Sequence, residues 1–194
     1  TERLHYFLSC FNSSCSVDFG SGYWTRGELG VLRDALAAAM TALNGTGLDG
    51  VSVLEGIGYR RIHSGNDSYT FPGNTVNLRN VSDQTIWHET GHAISFKNGH
   101  KPQKEFFNFA ESFASAGYYD LSAFCYRTYC SRNYGVLSPY TGRNPEYWAD
   151  GFAVWVQQGT YGTPPVGWYG ASPNVSWDLI VRAAAWSLQV SFGN

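Results

Sequence analysis

Charge is scarce in this sequence. Only 14% of the 194 residues are charged and the formal net charge is −2, which leaves no electrostatic basis for binding nucleic acid or an anionic membrane surface. Long apolar runs are missing as well: none approaches the roughly 18 consecutive apolar residues that a membrane-crossing helix needs. There is a single methionine, Met40. No internal repeat and no linker interrupts the chain, so a length of 194 residues is read as one domain, 1–194, with an N-terminal subdomain of about 1–99 and a C-terminal one of about 100–194. The sequence begins Thr1-Glu2-Arg3 without an initiator methionine or a charged-then-apolar leader; the expectation is that any signal peptide or pro-segment has been removed.

What is present in place of charge is aromatic and small. Aromatic residues make up 16%, with seven Trp and thirteen Tyr, and glycine numbers 22. The four cysteines stand as two tight pairs, Cys10 with Cys15 and Cys125 with Cys130. An even, closely spaced count favours two disulfides; the two local loops are preferred, and cross-pairing stays open. The spacing does not suit a four-thiolate zinc site. Asn12, Asn44, Asn66, Asn80 and Asn174 each begin an Asn-X-Ser/Thr sequon, where about two would arise by chance. Together these features predict a secreted, disulfide-bonded and glycosylated protein.

The stretch that carries chemistry is Ile86-Trp87-His88-Glu89-Thr90-Gly91-His92-Ala93-Ile94. Two histidines four apart on a helix stand one turn above each other on the same face. Both imidazoles can therefore reach one cation, as in His-Glu-X-X-His zinc sites. Glu89 follows His88 and also points toward the metal face, where its carboxylate can take a proton as general base. A five-residue pattern does arise by chance, and a buried histidine is often a satisfied core residue. The apolar flanks and a second acidic motif downstream favour zinc.

A catalytic zinc takes three protein ligands and keeps an open position. A third histidine six residues after His92 is excluded, because Asn98 stands there and Ser95 replaces the intervening glycine; the only methionine lies upstream, so there is no downstream Met-turn either. Two glutamates compete for the place. Glu146 lies in Asn144-Pro145-Glu146-Tyr147-Trp148-Ala149-Asp150-Gly151-Phe152-Ala153, with Asp150 one turn on, placed to accept the outer N–H of a ligand histidine. Glu111 lies in Ala110-Glu111-Ser112-Phe113-Ala114 and reads more simply as a solvated helix position. Glu146 is favoured.

With these motifs the sequence resembles the gluzincin metallopeptidases, most closely the group similar to the anthrax lethal factor catalytic domain. The resemblance covers roughly residues 75–157. It implies His88, His92 and Glu146 as ligands of one catalytic Zn²⁺ and Glu89 as base. It also implies a tyrosine just before the third ligand as oxyanion donor, for which Tyr140 is the nearest match and Tyr134 the reserve. Where that family usually has a glutamate, this chain has Asp150.

Along the rest of the chain, Leu4 to Leu8 is expected as a first strand. Thr25 is expected to cap a helix from Arg26 to Leu43. Val51 to Ile62 is read as a bent strand, and Tyr69–Phe71 and Thr75–Leu78 as two short strands, with Val76-Asn77-Leu78 as the sheet edge that would pair with an extended substrate. Ser82 or Asp83 should cap the histidine helix, which should end near Asn98-Gly99. Further helices are expected from Lys101 to about Tyr119, burying Phe106, Phe109, Phe113 and Ala116; from Glu146 to Gln158; and from Ser176 through Leu188, with Trp186 on its apolar face. The expected fold is α+β and zincin-like, a small N-terminal sheet with helices followed by a mainly helical part. The expected function is a secreted, monomeric zinc endopeptidase acting on an extended polypeptide. The competing reading is an aromatic-rich binding module with a structural or degenerate zinc site; against it stands Glu89, since a structural site needs no base and closes its fourth position with a fourth ligand.

Overall fold

A computed structural model of the chain describes residues 16–18, 23–63, 68–71, 74–115, 145–162 and 176–193. It is a mostly helical α+β fold and divides into two compact units, Thr1–Gly99 and His100–Asn194.

In the first unit, β1 (Ser16–Asp18) precedes α1 (Arg26–Gly45). The start of α1 is fixed by a capping box. Thr25 Oγ1 accepts the Glu28 N–H at 3.2 Å, and the Glu28 carboxylate accepts the Thr25 N–H at 2.9 Å, satisfying two otherwise unpaired helix-end donors. Leu32, Ala35, Leu36, Ala39 and Leu43 form its buried stripe, as the three-and-four spacing requires. Burial pushes the Glu28 carboxyl up, but the hydrogen bonds from Thr25 and Arg61 and the nearby guanidinium outweigh it, so the group ionises below its ordinary range.

The bent strand expected over 51–62 is instead a short helix followed by a strand: α2 (Gly50–Leu54) and β2 (Gly58–Arg61). The reason is local. Asp49 caps α2, its carboxylate accepting from the N–H groups of Val51 at 3.0 Å and Ser52 at 3.4 Å, and such a cap outweighs the weak β-preference of Val-Ser-Val. Lys97 closes the other end, its ammonium donating to the carbonyls of Ser52 at 3.0 Å and Glu55 at 2.6 Å. Desolvation pushes that ammonium's pKa down. Gly56 then turns the chain at φ +76°, a conformation glycine adopts without a Cβ penalty.

β3 (Tyr69–Phe71) and β4 (Thr75–Leu78) complete a four-stranded sheet in the order β1-β2-β4-β3. β1 and β2 pair in parallel, as do β2 and β4, while β3 runs antiparallel to β4 with Thr70 opposite Val76. This overturns one expectation. Val76-Asn77-Leu78 is not the edge: β4 is paired on both sides, and all three residues are buried. Such an unbroken buried run is how a strand covered on both faces reads. Among the described residues the edge on that side is β3. β1 was not expected from the sequence, and the strand expected at Leu4–Leu8 lies outside the described residues.

α3 (Asp83–Lys97) carries the histidines, with Ser82 as its cap and Asn98 at its end, as expected. In the second unit, α4 (Lys101–Ser115), α5 (Pro145–Tyr161) and α6 (Trp177–Phe192) pack on one another. On α4, Phe106 and Phe107 are buried and Phe109 is half-buried; the Phe113 side chain and residues 116–119 lie outside the described residues. Ser176 caps α6, but Trp186 is 50% exposed instead of facing the core. The buried face of α6 runs through Leu179, Ile180, Ala183, Ala184, Ser187 and Leu188, which leaves position 186 on the opposite side. No described helix is long and apolar enough to cross a membrane.

α5 is buried continuously from Tyr147 to Val156, so it is sheathed on all sides. It approaches α4 closely at Gly151: a Cβ there would lie 2.8 Å from the Phe106 ring, and Phe106, only 1% exposed, has little room to yield. Gly151→Ala is therefore expected to cost about 1–3 kcal/mol through overpacking, despite alanine's better helix propensity. Chemical denaturation checks this, and an unchanged midpoint would show that the ring moves aside.

Candidate metal centre

The helix α3 is placed by contacts that owe nothing to its histidines. Ser82 Oγ accepts the Thr85 N–H at 3.3 Å, and Asp83 in the first turn with Lys97 in the last suit the helix dipole. Trp87, 1% exposed, donates its indole N–H to the Ala35 carbonyl of α1 at 2.8 Å. Tyr59 on β2 and Thr90 share a buried hydrogen bond at 2.9 Å. Thr70 on β3 places its hydroxyl 2.8 Å from Glu89 Oε2 and 3.0 Å from the Glu89 carbonyl. The helix is thus tied to α1, β2 and β3 by named polar contacts, inside an apolar setting that includes the fully buried Ile86 and Ile94.

On this support the two imidazoles converge. Nε2 of His88 and Nε2 of His92 lie 3.2 Å apart, with ring centroids 4.8 Å apart and planes at 83°. The ring of Phe96, one further turn on, stacks on His92 at 6.2 Å and 19°. Two nitrogens held tetrahedrally by one cation at 2.0–2.1 Å stand about 3.3 Å apart, so the spacing fits a shared ion. A simple N–H···N hydrogen bond between neutral rings has a similar length. A third group bears on the choice. Glu146, in the first turn of α5, offers a carboxylate oxygen, and the ligand atoms of His88, His92 and Glu146 all lie within 4.8 Å of one another. Two ring nitrogens and one carboxylate oxygen make a three-donor set of a kind that can hold a metal ion. His92 is buried, while His88 and Glu146 are half-buried. These residues form a group that could hold a metal ion.

Glu89 sits on the same helix turn and is only 6% exposed. Asp150, one turn after Glu146 on α5, is fully buried. Glu111 on α4 is half-buried and is not part of the group. Tyr140, its reserve Tyr134, and Cys10, Cys15, Cys125 and Cys130 all lie outside the described residues. Val76, Asn77 and Leu78 stand in β4, an inner strand paired on both sides.

Sequence reasoning missed Thr70 and Tyr59. The alternation Tyr69-Thr70-Phe71 does reveal a strand with one polar residue between two aromatic ones. No spacing rule, however, ties that hydroxyl to a helix residue 19 positions later.

Fold and group together define a candidate metal-binding protein. Comparison of the chain with protein-family models, with curated proteins and with solved structures finds no match.

Proposed function

We propose that this chain is a zinc-dependent endopeptidase of the zincin type, with the gluzincin ligand set His88, His92 and Glu146 and with Glu89 as general base. The observation that carries the reading is the grouping of those three ligand atoms, two of them from the helix that also bears Glu89. Zinc, when bound there, supplies a Lewis acid that polarises a carbonyl and acidifies water toward a pKa of ~7. Glu89 takes the proton of the attacking water on a carboxylate oxygen and passes it to the leaving amine. Its low exposure keeps that carboxylate away from bulk solvent. Asp150 accepts the outer ring N–H of a ligand histidine and so fixes its tautomer. Tyr140 donates to the developing oxyanion. The polypeptide substrate is extended and pairs with a strand edge, for which β3, the end strand that touches Glu89, takes the place of β4.

The test is digestion of a denatured protein mixture, with and without a zinc chelator, alongside metal analysis. Cleavage that the chelator abolishes and added zinc restores is expected. Stoichiometric zinc without any cleavage would favour the binding-module reading instead.

The protein is further proposed to be secreted and monomeric, with Cys10–Cys15 and Cys125–Cys130 as disulfides. Loops this short would each contribute about 2 kcal/mol in the chain-entropy picture. Intact protein should then yield no alkylatable thiol, and reduction should lower its melting temperature. Four reactive thiols in the native protein would contradict the placement outside the cell.

A further inference from the structure

Thr70 is the middle residue of β3, and its hydroxyl faces Glu89 twice over: Oε2 at 2.8 Å and the backbone carbonyl at 3.0 Å. We propose that Thr70 is a positioning residue for Glu89, holding one carboxylate oxygen so that the other is presented to the reacting groups; this rests on the hydrolase reading above.

A threonine hydroxyl has one hydrogen to donate, and two acceptors lie in reach. An ionised carboxylate is the stronger acceptor, while a helix carbonyl in the interior of α3 already receives the N–H four residues on. The hydrogen therefore goes to Oε2, and Oε1 is left for proton transfer.

Thr70 can hold that oxygen because it is itself held. The ladder sets it opposite Val76, a residue with no exposed surface in a strand paired on both sides. Its β-branched side chain is stiff about χ1, so the hydroxyl is aimed by the backbone. Glutamate is the opposite case, with three rotatable bonds to order. A base works only within a few tenths of an ångström of the proton it takes, and a displacement of about 1 Å can cost on the order of 10²-fold in rate. The edge strand thus supplies the precision that the glutamate side chain lacks.

The variants to compare are Thr70→Val, which removes the hydroxyl at nearly constant volume, and Thr70→Ser, which restores a donor. Thr70→Val is expected to lower kcat by about 10–100-fold with KM and bound-zinc stoichiometry unchanged, and Thr70→Ser should recover most of it. Wild-type kcat in Thr70→Val, or a change confined to KM, would overturn the proposal. The contact has a second readout that needs no activity: thermal midpoints of wild type, Thr70→Val, Glu89→Ala and the double variant. The double variant should lose less than the sum of the single losses, since both remove the same bond; strictly additive shifts also overturn the proposal. Failure of the broader reading looks different. Wild-type protein with no chelator-sensitive cleavage would sink the hydrolase assignment, and the role of Thr70 with it, even if the midpoints were coupled. A cleaving wild type with an indifferent Thr70→Val sinks the Thr70 role alone.

Discussion

Glu89→Ala is expected to leave a folded, metal-loaded protein whose peptide cleavage has fallen by about 10²–10⁴-fold, the usual contribution of a general acid–base residue. The structure explains why the fold should survive. The side chain is cut back to a methyl on a helix that is still tied through Trp87 to Ala35 and through Thr90 to Tyr59. The Thr70 hydroxyl is not stranded either, because the backbone carbonyl of residue 89 remains 3.0 Å away as an alternative acceptor. That hydroxyl therefore escapes the penalty of a buried donor left unsatisfied, the usual source of large losses at such sites. Neither histidine is touched, so the metal content should match wild type. Activity, zinc stoichiometry and melting temperature, measured together on one preparation, decide the matter. Near-wild-type cleavage with full metal would remove Glu89 from the mechanism and leave the hydrolytic assignment without a base.

The second large effect separates the proposed ligand carboxylate from its neighbours. Glu146→Gln should lose bound zinc sharply, because a neutral amide replaces a charged oxygen donor. The accompanying change in stability should be small. Glu146 stands in the first turn of α5, where a negative charge is worth only about 0.3–1 kcal/mol through the helix dipole. Asp150→Asn should keep zinc more weakly, with affinity or activity down about 10–100-fold, the size of loss seen when a partner of a ligand histidine is removed. Glu111→Gln should alter neither. Metal analysis after dialysis of the three variants distinguishes these outcomes. Zinc lost from Glu111→Gln and kept by Glu146→Gln would mean that the carboxylate grouped with the histidines is not the one that binds.

What was legible in the sequence was local in origin. The caps Thr25, Ser82 and Ser176 set helix starts through hydrogen bonds to residues three positions on, so the pattern and the structure carry the same information. The spacing of His88 and His92 places both rings on one helix face by geometry alone. Sheet order was not legible. Whether Val76-Asn77-Leu78 lies at an edge depends on the partners β2 and β3, and those pairings are not encoded within the segment itself. The region around Asp49 shows the opposite failure: the signal was local and was misread, because a short apolar run satisfies strand and helix periods alike and only the capping carboxylate decides. Trp186 fell on the wrong face because the buried pairs Leu179-Ile180, Ala183-Ala184 and Ser187-Leu188 rotate the apolar stripe away from it. Thr70 could not have been found without the fold, since its tie to Glu89 crosses from strand to helix.

The anchoring of α3 has a thermodynamic meaning for whatever ion the histidines receive. In small zinc-folded modules the ion orders the chain, so much of the coordination energy is consumed in making the binding site. Here the backbone beneath His88 and His92 is ordered by the buried indole of Trp87, by the Tyr59–Thr90 bond and by a core of aliphatic side chains. The backbone that carries two of the three candidate donors is thus set by folding itself. The coordination energy of an ion bound there would therefore be expressed as affinity, and metal occupancy and foldedness of the first unit would be separable variables.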